Sequence, residues 1–298
     1  MKVLISGSSG LVGKALCNLL IKKGIAVYRL VREDPDTNPQ AIFWDPYEKK
    51  INLSAIENFD AVVHLAGENI ASGRWTKALK EKIADSRILP TGFLAESLIK
   101  LNDPPKVFLS ASALGFYGDR PDENLDEDSL PGEGFLAEVA KKWEEASYKV
   151  SEKGIRLVNM RIGVVLSKHG GALKRMLPVF KLGLGGRLGD GKQFMSWIGI
   201  EDLCRAIHFS ILNQNISAAV NFVSPNPVTN SEFTKMLAKV LRRPALLPVP
   251  KFAPRMIFGQ MADEILFSNA KIFPKKLHNN GFKFKYPELH DALKSTLS

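Results

Sequence analysis

Three glycines near the N-terminus are spaced for holding a phosphate. Gly7-Ser8-Ser9-Gly10-Leu11-Val12-Gly13 follows a short apolar run, Lys2 to Ser6, and opens a helical pattern. In that context Gly7 allows a tight turn, Gly10 lets the backbone approach a pyrophosphate, and Gly13 lets the helix close on the strand. The free N–H groups and partial positive charge of a helix N-terminus complete an anion seat. A second chemical choice lies 19 residues after Gly13, in Leu30-Val31-Arg32-Glu33-Asp34. An acid there accepts from the ribose 2′-OH of NAD, and a cation suits the 2′-phosphate of NADP. Arg32 offers a planar fork for a phosphate and a face for adenine. Glu33 reading the ribose is the alternative, and we expect NADP.

These residues need elements to hold them. Leu11 to Lys23 places Val12, Ala15, Leu16, Leu19 and Leu20 at helical spacing, and Gly24 after Lys22-Lys23 is a stop signal. Strands are expected at Lys2–Ser6, Ala26–Val31, Ala61–Leu65, Val107–Ser110 and Arg156–Arg161, with a helix over Leu136–Ser151 before the break at Gly154. Strands alternating with helices predict an α/β fold, a doubly wound parallel sheet of Rossmann type with right-handed crossovers. Residues 34–40 and the acidic stretch 119–133 read as loops, and eight glycines make much of 163–191 loop as well. We expect a nucleotide-binding domain over 1–220 and a smaller C-terminal domain on the substrate side over 221–298.

Composition narrows the classes. With 298 residues, 45% apolar content and 24% charge, the chain can bury a sizeable core and is not disordered. No apolar run approaches the roughly 18 residues of a membrane span. Met1-Lys2 runs directly into Val-Leu-Ile without a signal-peptide pattern, so the expected location is cytoplasmic and no membrane partner is expected. Two distant cysteines, Cys17 and Cys204, exclude a disulfide scaffold, and the five histidines show no metal-ligand spacing, so no metal site is expected. The net charge of +10 suggests nucleic acid, but no Lys/Arg run exceeds two residues and acids sit among the bases. We therefore expect a solvated surface, no nucleic-acid partner, and a preference for small anions. Gly-x-Ser-x-Gly is absent, so no nucleophile elbow is visible.

Longer blocks carry a resemblance. They are Leu-Ile-Ser-Gly-Ser-Ser-Gly-Leu-Val-Gly (4–13), His-Leu-Ala-Gly-Glu-Asn-Ile (64–70), Arg-Trp-Thr (74–76), Asp-Ser-Arg (85–87) and Ser-Ala-Ser-Ala-Leu-Gly-Phe-Tyr-Gly (110–118). Arg-Ile-Gly-Val-Val-Leu (161–166), Gly-Leu-Gly-Gly (183–186) and Ser-Trp-Ile-Gly-Ile-Glu-Asp-Leu (196–203) continue them. The chain resembles an extended short-chain dehydrogenase/reductase, and more narrowly the atypical epimerase family of NADP-dependent oxidoreductases, also labelled nucleoside-diphosphate-sugar epimerase-like. Residues about 248–295 resemble that family's own terminal segment. The resemblance implies that the glycine turn with Leu11 and Val12 holds the pyrophosphate and that Val31 and Arg32 face the adenosine. It further implies that Leu65, Ala66 and Gly67 wall the adenine and ribose, that Arg87 reaches the phosphates or ribose, and that Val165 lies by the nicotinamide.

Most short-chain dehydrogenases use Ser, Tyr and a Lys four residues after the Tyr. The Lys lowers a phenol pKa that is otherwise near 10. Here the residues four positions after the five tyrosines are Arg32, Ile51, Pro121, Glu152 and His290. Aligned on Trp143-Glu144, the dyad positions fall at Leu136 and Ala140. Ser112, at the family's Ser/Thr position, and Tyr117, as a neutral donor, remain the catalytic candidates. Glu68, Asn69, the glycine stretch 183–197 and Trp197 are candidate borders of the cleft, the glycines alternatively forming a lid. The expected function is an NADP-dependent oxidoreductase or epimerase acting on a small polar, nucleotide-sugar-like substrate. The alternative is a catalytically impaired NADP(H) sensor or scaffold. A homodimer is compatible with either.

Overall fold

The computed structural model describes residues 1–33, 38–71 and 73–298. In chain order the elements are β1 (Lys2–Ser6), α1 (Leu11–Lys22), β2 (Ala26–Val31), β3 (Ala41–Asp45), β4 (Lys50–Ile51), β5 (Ala61–His64), α2 (Lys77–Leu98), β6 (Val107–Ala113), β7 (Arg120–Leu125), α3 (Phe135–Ser147), β8 (Arg156–Ile162) and β9 (Val164–Leu166). They continue with α4 (Gly171–Lys181), β10 (Phe194–Met195), β11 (Trp197–Gly199), α5 (Ile200–Leu212), β12 (Ala218–Phe222), β13 (Val228–Thr229), α6 (Asn230–Leu241), α7 (Phe252–Phe258), β14 (Ala270–Ile272), α8 (Lys275–Asn279) and α9 (Leu289–Leu297).

An eight-stranded sheet of order β12-β8-β6-β5-β1-β2-β3-β4 forms the centre, parallel except for β4. Such a sheet is covered on both faces, so its strands read as unbroken apolar runs. Val3-Leu4-Ile5 illustrates this, because alternate side chains feed opposite cores. Val3 and Ile5 pack with Leu16 and Leu20 of α1 and Leu203 and Ile207 of α5. Leu4 packs with Leu94, Ala95 and Leu98 of α2. The chain winds outward through β2 and β3 on one side and through β5, β6, β8 and β12 on the other. The reversal lies between β1 and β5, and open α/β sheets bind ligands at the carboxyl ends of strands flanking such a reversal.

The elements differ from the sequence reading in instructive places. The acidic stretch 119–133, expected to be loop, contains β7, which pairs with β14 from the C-terminal segment. Helix α4 occupies the middle of the glycine-rich stretch 163–191. Strand β6 runs to Ala113, so Ser112 lies within it rather than beyond it. Helix α3 ends at Ser147, and a tighter 3₁₀ turn carries the chain to Gly154 at φ 77°. Of the loop expected over 34–40, residues 34–37 lie outside the described residues.

The division expected at 220/221 falls inside β12, an integral strand of the main sheet. Beyond it, the C-terminal residues complete cores begun earlier in the chain. Leu277 and Phe282 join the α1/α5 core, and Leu289, Ala292 and Leu293 of α9 pack with Trp197, Leu173 and Phe180. No helix of the described residues is long and apolar enough to cross a membrane. Both cysteines are free and buried, and burial pushes the Cys204 thiol up to about 12, which keeps it protonated and unreactive.

Candidate functional site

The glycine turn sits in the crevice between β1 and β5, packed backbone against backbone. Gly7 has φ 68°, and a Cβ there would lie 2.6 Å from the Leu65 carbonyl carbon. A Cβ on Gly13 would lie 2.2 Å from the Gly7 carbonyl oxygen. Gly10 is the extended N-cap of α1 and supplies no side-chain cap. The Leu11 and Val12 N–H groups, in the first turn of α1, have no acceptor among the described residues. They form the open positive end of the helix.

The other expected wall residues gather around this turn. Val12, Leu65 and Val165 are half-buried against one core. A Cβ on Gly170, in the loop after β9, would come within 3.1 Å of the Leu11 side chain, so that loop closes over the turn. Val31 ends β2 half-buried, and Arg32 follows it into solvent.

Arg87, expected at the phosphates or ribose, bonds to the loop that walls the crevice. Its guanidinium donates to the Glu68 carbonyl at 2.8 Å and the Ile83 carbonyl at 2.9 Å, and lies 5.2 Å from the Trp143 ring centroid. Ser86 Oγ accepts from the Glu68 N–H at 3.1 Å. Ser86 and Arg87 thus clamp both backbone groups of Glu68 and fix the Leu65-Ala66-Gly67 wall. Burial lowers the Arg87 pKa to about 10 against the pull of Glu68, so the clamp stays charged at neutral pH. Asn69 Oδ1 caps the Ala71 N–H at 2.9 Å within the same loop.

Beneath the crevice, Ser6 Oγ and His64 Nδ1 lie 2.6 Å apart, and Ser6 Oγ also accepts from the Leu65 N–H. His64 is fully buried between Trp44 and Phe108, and desolvation lowers its pKa to about 3. The folded chain therefore holds His64 neutral while the unfolded chain takes up a proton below about pH 6.5. Folding stability contributed by this residue is complete above pH 6.5 and falls by about 1.4 kcal/mol per pH unit toward pH 3. His64→Leu should remove that slope, so denaturation between pH 7 and about pH 4 should show wild type losing about 1.4 kcal/mol per pH unit relative to the variant as pH falls. Parallel curves would mean that His64 titrates normally when folded.

At the carboxyl ends of β6, β8 and β12 the side chains form a buried polar network. Ser112 Oγ donates to Glu144 Oε1 at 2.7 Å. Arg161 binds the same carboxylate with two donors, Nε at 2.8 Å and an Nη at 2.9 Å, and donates a third bond to the Tyr117 hydroxyl at 2.9 Å. Tyr117 donates to Asn221 Oδ1 at 2.7 Å, and the Asn221 N–H donates to Glu127 Oε1 at 3.0 Å. The Phe116 ring lies 3.4 Å over the Arg161 guanidinium. Tyr117 is fully buried, and burial lifts its hydroxyl to about 12 against the opposing charge of Arg161.

The dyad positions are filled apolarly. A Cβ on Gly115 would fall 2.8 Å from Leu136 Cβ, and Ala140 is buried against Phe116 and Tyr117. Glu264 of the C-terminal segment caps the first turn of α3 through the Phe135 and Leu136 N–H groups. Trp197 is buried and donates to the Asn226 carbonyl, so it supports the core rather than the cleft. Two glycines of the stretch expected to border the cleft, or alternatively to form a lid, are packing sites. A Cβ on Gly185 would overlap the Phe180 ring, and one on Gly186 would overlap the Leu247 carbonyl.

Glu144, Arg161, Asn221, Glu127 and Ser86 escaped the sequence reading as site residues. The signal was present in β8: Arg161 and Asn159 interrupt an otherwise apolar strand, and a charge in a strand buried on both faces needs a partner.

Comparison with known proteins supplies the family. Residues 3–223 match the NAD dependent epimerase/dehydratase family, and residues 249–296 match a domain of unknown function (DUF1731). The chain is 42% identical over 291 residues to "Epimerase family protein Mb2239" of Mycobacterium bovis, covering 98% of this chain and 96% of that protein. It superposes on the crystal structure of human epimerase family protein SDR39U1 (isoform 2) with NADPH at a TM-score of 0.92, with 34% identity and 99% of each chain covered. A nucleoside-diphosphate sugar epimerase from Corynebacterium glutamicum matches at a TM-score of 0.82 and 38% identity, covering all of this chain and 58% of that one.

Proposed function

Because the chain belongs to the NAD dependent epimerase/dehydratase family, we propose that it binds NADP(H) in the β1/β5 crevice and acts as an oxidoreductase or epimerase on a small polar substrate. The observation that carries the reading is the glycine turn, wedged against Leu65–Ala66 with the Leu11 and Val12 N–H groups open. These residues fit a dinucleotide: they leave room for a pyrophosphate and present donors to it. The human relative crystallised with NADPH supports the phosphorylated cofactor, and so does Arg32 at the end of β2.

When bound, NADPH supplies a hydride. The residues of this chain bind and orient. The turn and the α1 N-terminus would hold the pyrophosphate, and the Arg32 guanidinium would meet the 2′-phosphate. Leu65, Ala66 and Gly67, held in place by Ser86 and Arg87, would wall the adenosine, and Val165 would lie by the nicotinamide. Ser112 and Tyr117 act as positioning residues in this reading. Their hydroxyl protons already go to Glu144 and Asn221, and through Arg161 they fix the ends of three strands under the cleft.

One observation favours a second reading, an NADP(H)-binding protein without turnover: both dyad positions are apolar and buried or packed, at Leu136 and Ala140. Calorimetric titration of NADPH and NADH into wild type and Arg32→Ala tests the common premise. We expect wild type to favour NADPH and the variant to lose at least about tenfold of that preference, or about 1.4 kcal/mol. Equal affinities in wild type would return the ribose to Glu33. The loaded protein, incubated with carbonyl substrates and deuterated NADPH, then separates the readings, since transferred deuterium excludes the sensor.

A further inference from the structure

The positive charge of this chain is denser in two sequence stretches, and backbone and side-chain hydrogen bonds bring parts of them together. Residues 163–189 contain Lys168, Lys174, Arg175, Lys181 and Arg187 and no acid. Residues 233–262 contain Lys235, Lys239, Arg242, Arg243, Lys251 and Arg255 and no acid. Together these stretches hold eleven of the 41 basic residues and none of the 31 acids; Asp190, Glu232 and Asp263 border them, and Asp263 pairs with Arg255 at 2.7 Å. The fold sets them side by side. The Gly189 N–H donates to the Val249 carbonyl and the Val249 N–H to the Arg187 carbonyl, both at 2.8 Å, and Arg243 Nε donates to the Lys181 carbonyl at 3.0 Å. This revises the expectation of an evenly mixed surface.

The same two stretches carry exposed apolar side chains. Of the sixteen large apolar side chains exposed among the described residues, eight lie here. Leu246 is 83% exposed, Leu182 74% and Met256 73%, so they project from the surface rather than line a groove. Leu184, Leu247 and Ile257 accompany them. Apolar patches of this kind on a soluble protein mark an interaction site.

We propose that this face docks on an anionic lipid bilayer surface. Projecting apolar tips enter the boundary between headgroups and acyl chains, while cations beside them meet lipid phosphates. Charge selects this occupant. A second copy would set like charges against each other across an isologous contact. Duplex nucleic acid would satisfy the cations but gives projecting leucines and a methionine nothing to bury against. The chain lies on the membrane in this proposal and does not cross it. The expectation of no membrane partner rests on the lack of an apolar run long enough to span, which does not bear on a surface assembled from two distant stretches.

Vesicle co-sedimentation of the full chain tests it, using phosphatidylcholine alone and phosphatidylcholine mixed with phosphatidylglycerol. Wild type should sediment with the anionic vesicles and stay in solution with the neutral ones. Lys181→Gln/Lys239→Gln/Arg242→Gln should weaken binding about a hundredfold, at about fivefold per cation near the surface. Leu182→Gln/Leu246→Gln/Met256→Gln should bind at low salt and release at a salt concentration that wild type withstands. All substituted side chains are exposed and none is among the residues that form the glycine turn or its walls, so NADPH affinity and thermal midpoints should match wild type and show that the variants are folded. Equal sedimentation with both vesicle types, or none with either, overturns the proposal. So does tighter binding to duplex DNA than to vesicles, or a dimer in light scattering that the Leu246 variant abolishes.

Discussion

Removing either member of the Glu144–Arg161 pair should destabilise the protein by about 3–5 kcal/mol, the cost of leaving a buried charge without its partner. Both side chains are almost inaccessible, at 3% and 5% exposure, and they meet through two hydrogen bonds to one carboxylate. Glu144→Leu leaves a guanidinium held only by the Tyr117 hydroxyl and the Phe116 ring. Arg161→Met leaves a carboxylate held only by Ser112. Each single variant should show its denaturant midpoint falling with an unchanged m-value. The double variant, with two apolar groups of similar volume, should recover a large share of the loss. A double-mutant cycle would then give a coupling of about 2 kcal/mol or more. Single losses below about 1 kcal/mol would mean that water reaches the pair and that the network does not organise the strand ends.

That pair also shows where sequence reasoning stops. The parallel sheet was legible because Val3-Leu4-Ile5, Val62-Val63 and Val107-Phe108-Leu109 are unbroken apolar runs with helical patterns between them. The glycine turn was legible because each glycine answers a local steric demand, met within a few residues of chain. Strand β12 was missed because Ala218-Ala219-Val220-Asn221-Phe222 has an apolar run of three broken by Asn221. Asn221 is there to meet Tyr117, 104 positions earlier. Strand β7 was missed because its partner β14 lies near the other end of the chain. The resemblance sets Arg87 at the phosphates or ribose, and its clamp on the Glu68 carbonyl is invisible in the sequence because it forms only when the loop after β5 folds over the helix. Pairings set by tertiary approach leave only a polar residue in an apolar context as their trace, and that trace names no partner.

The two inner glycines of the turn separate folding from binding, and the separation gives a prediction of large effect. A Cβ on Gly13 would sit 2.2 Å from the Gly7 carbonyl oxygen and 2.7 Å from Ser8 Cα, both backbone atoms that cannot rotate away. Gly13→Ala must therefore push α1 from the turn. It should cost about 1–3 kcal/mol of stability as overpacking and abolish measurable NADPH binding, because the Leu11 and Val12 donors move with the helix. Gly10 differs. Its backbone is extended at φ −73°, which any residue adopts, and an added Cβ would meet only the Gly7 oxygen at 3.3 Å. Gly10→Ala should keep the thermal midpoint within about 2–4 °C of wild type, the shift of a change near 1 kcal/mol or less. It should still weaken NADPH by at least about tenfold, because the methyl group stands where a pyrophosphate must approach the backbone. If Gly10→Ala binds NADPH as wild type does, the pyrophosphate lies elsewhere in the crevice, and the cofactor reading loses the observation that carries it.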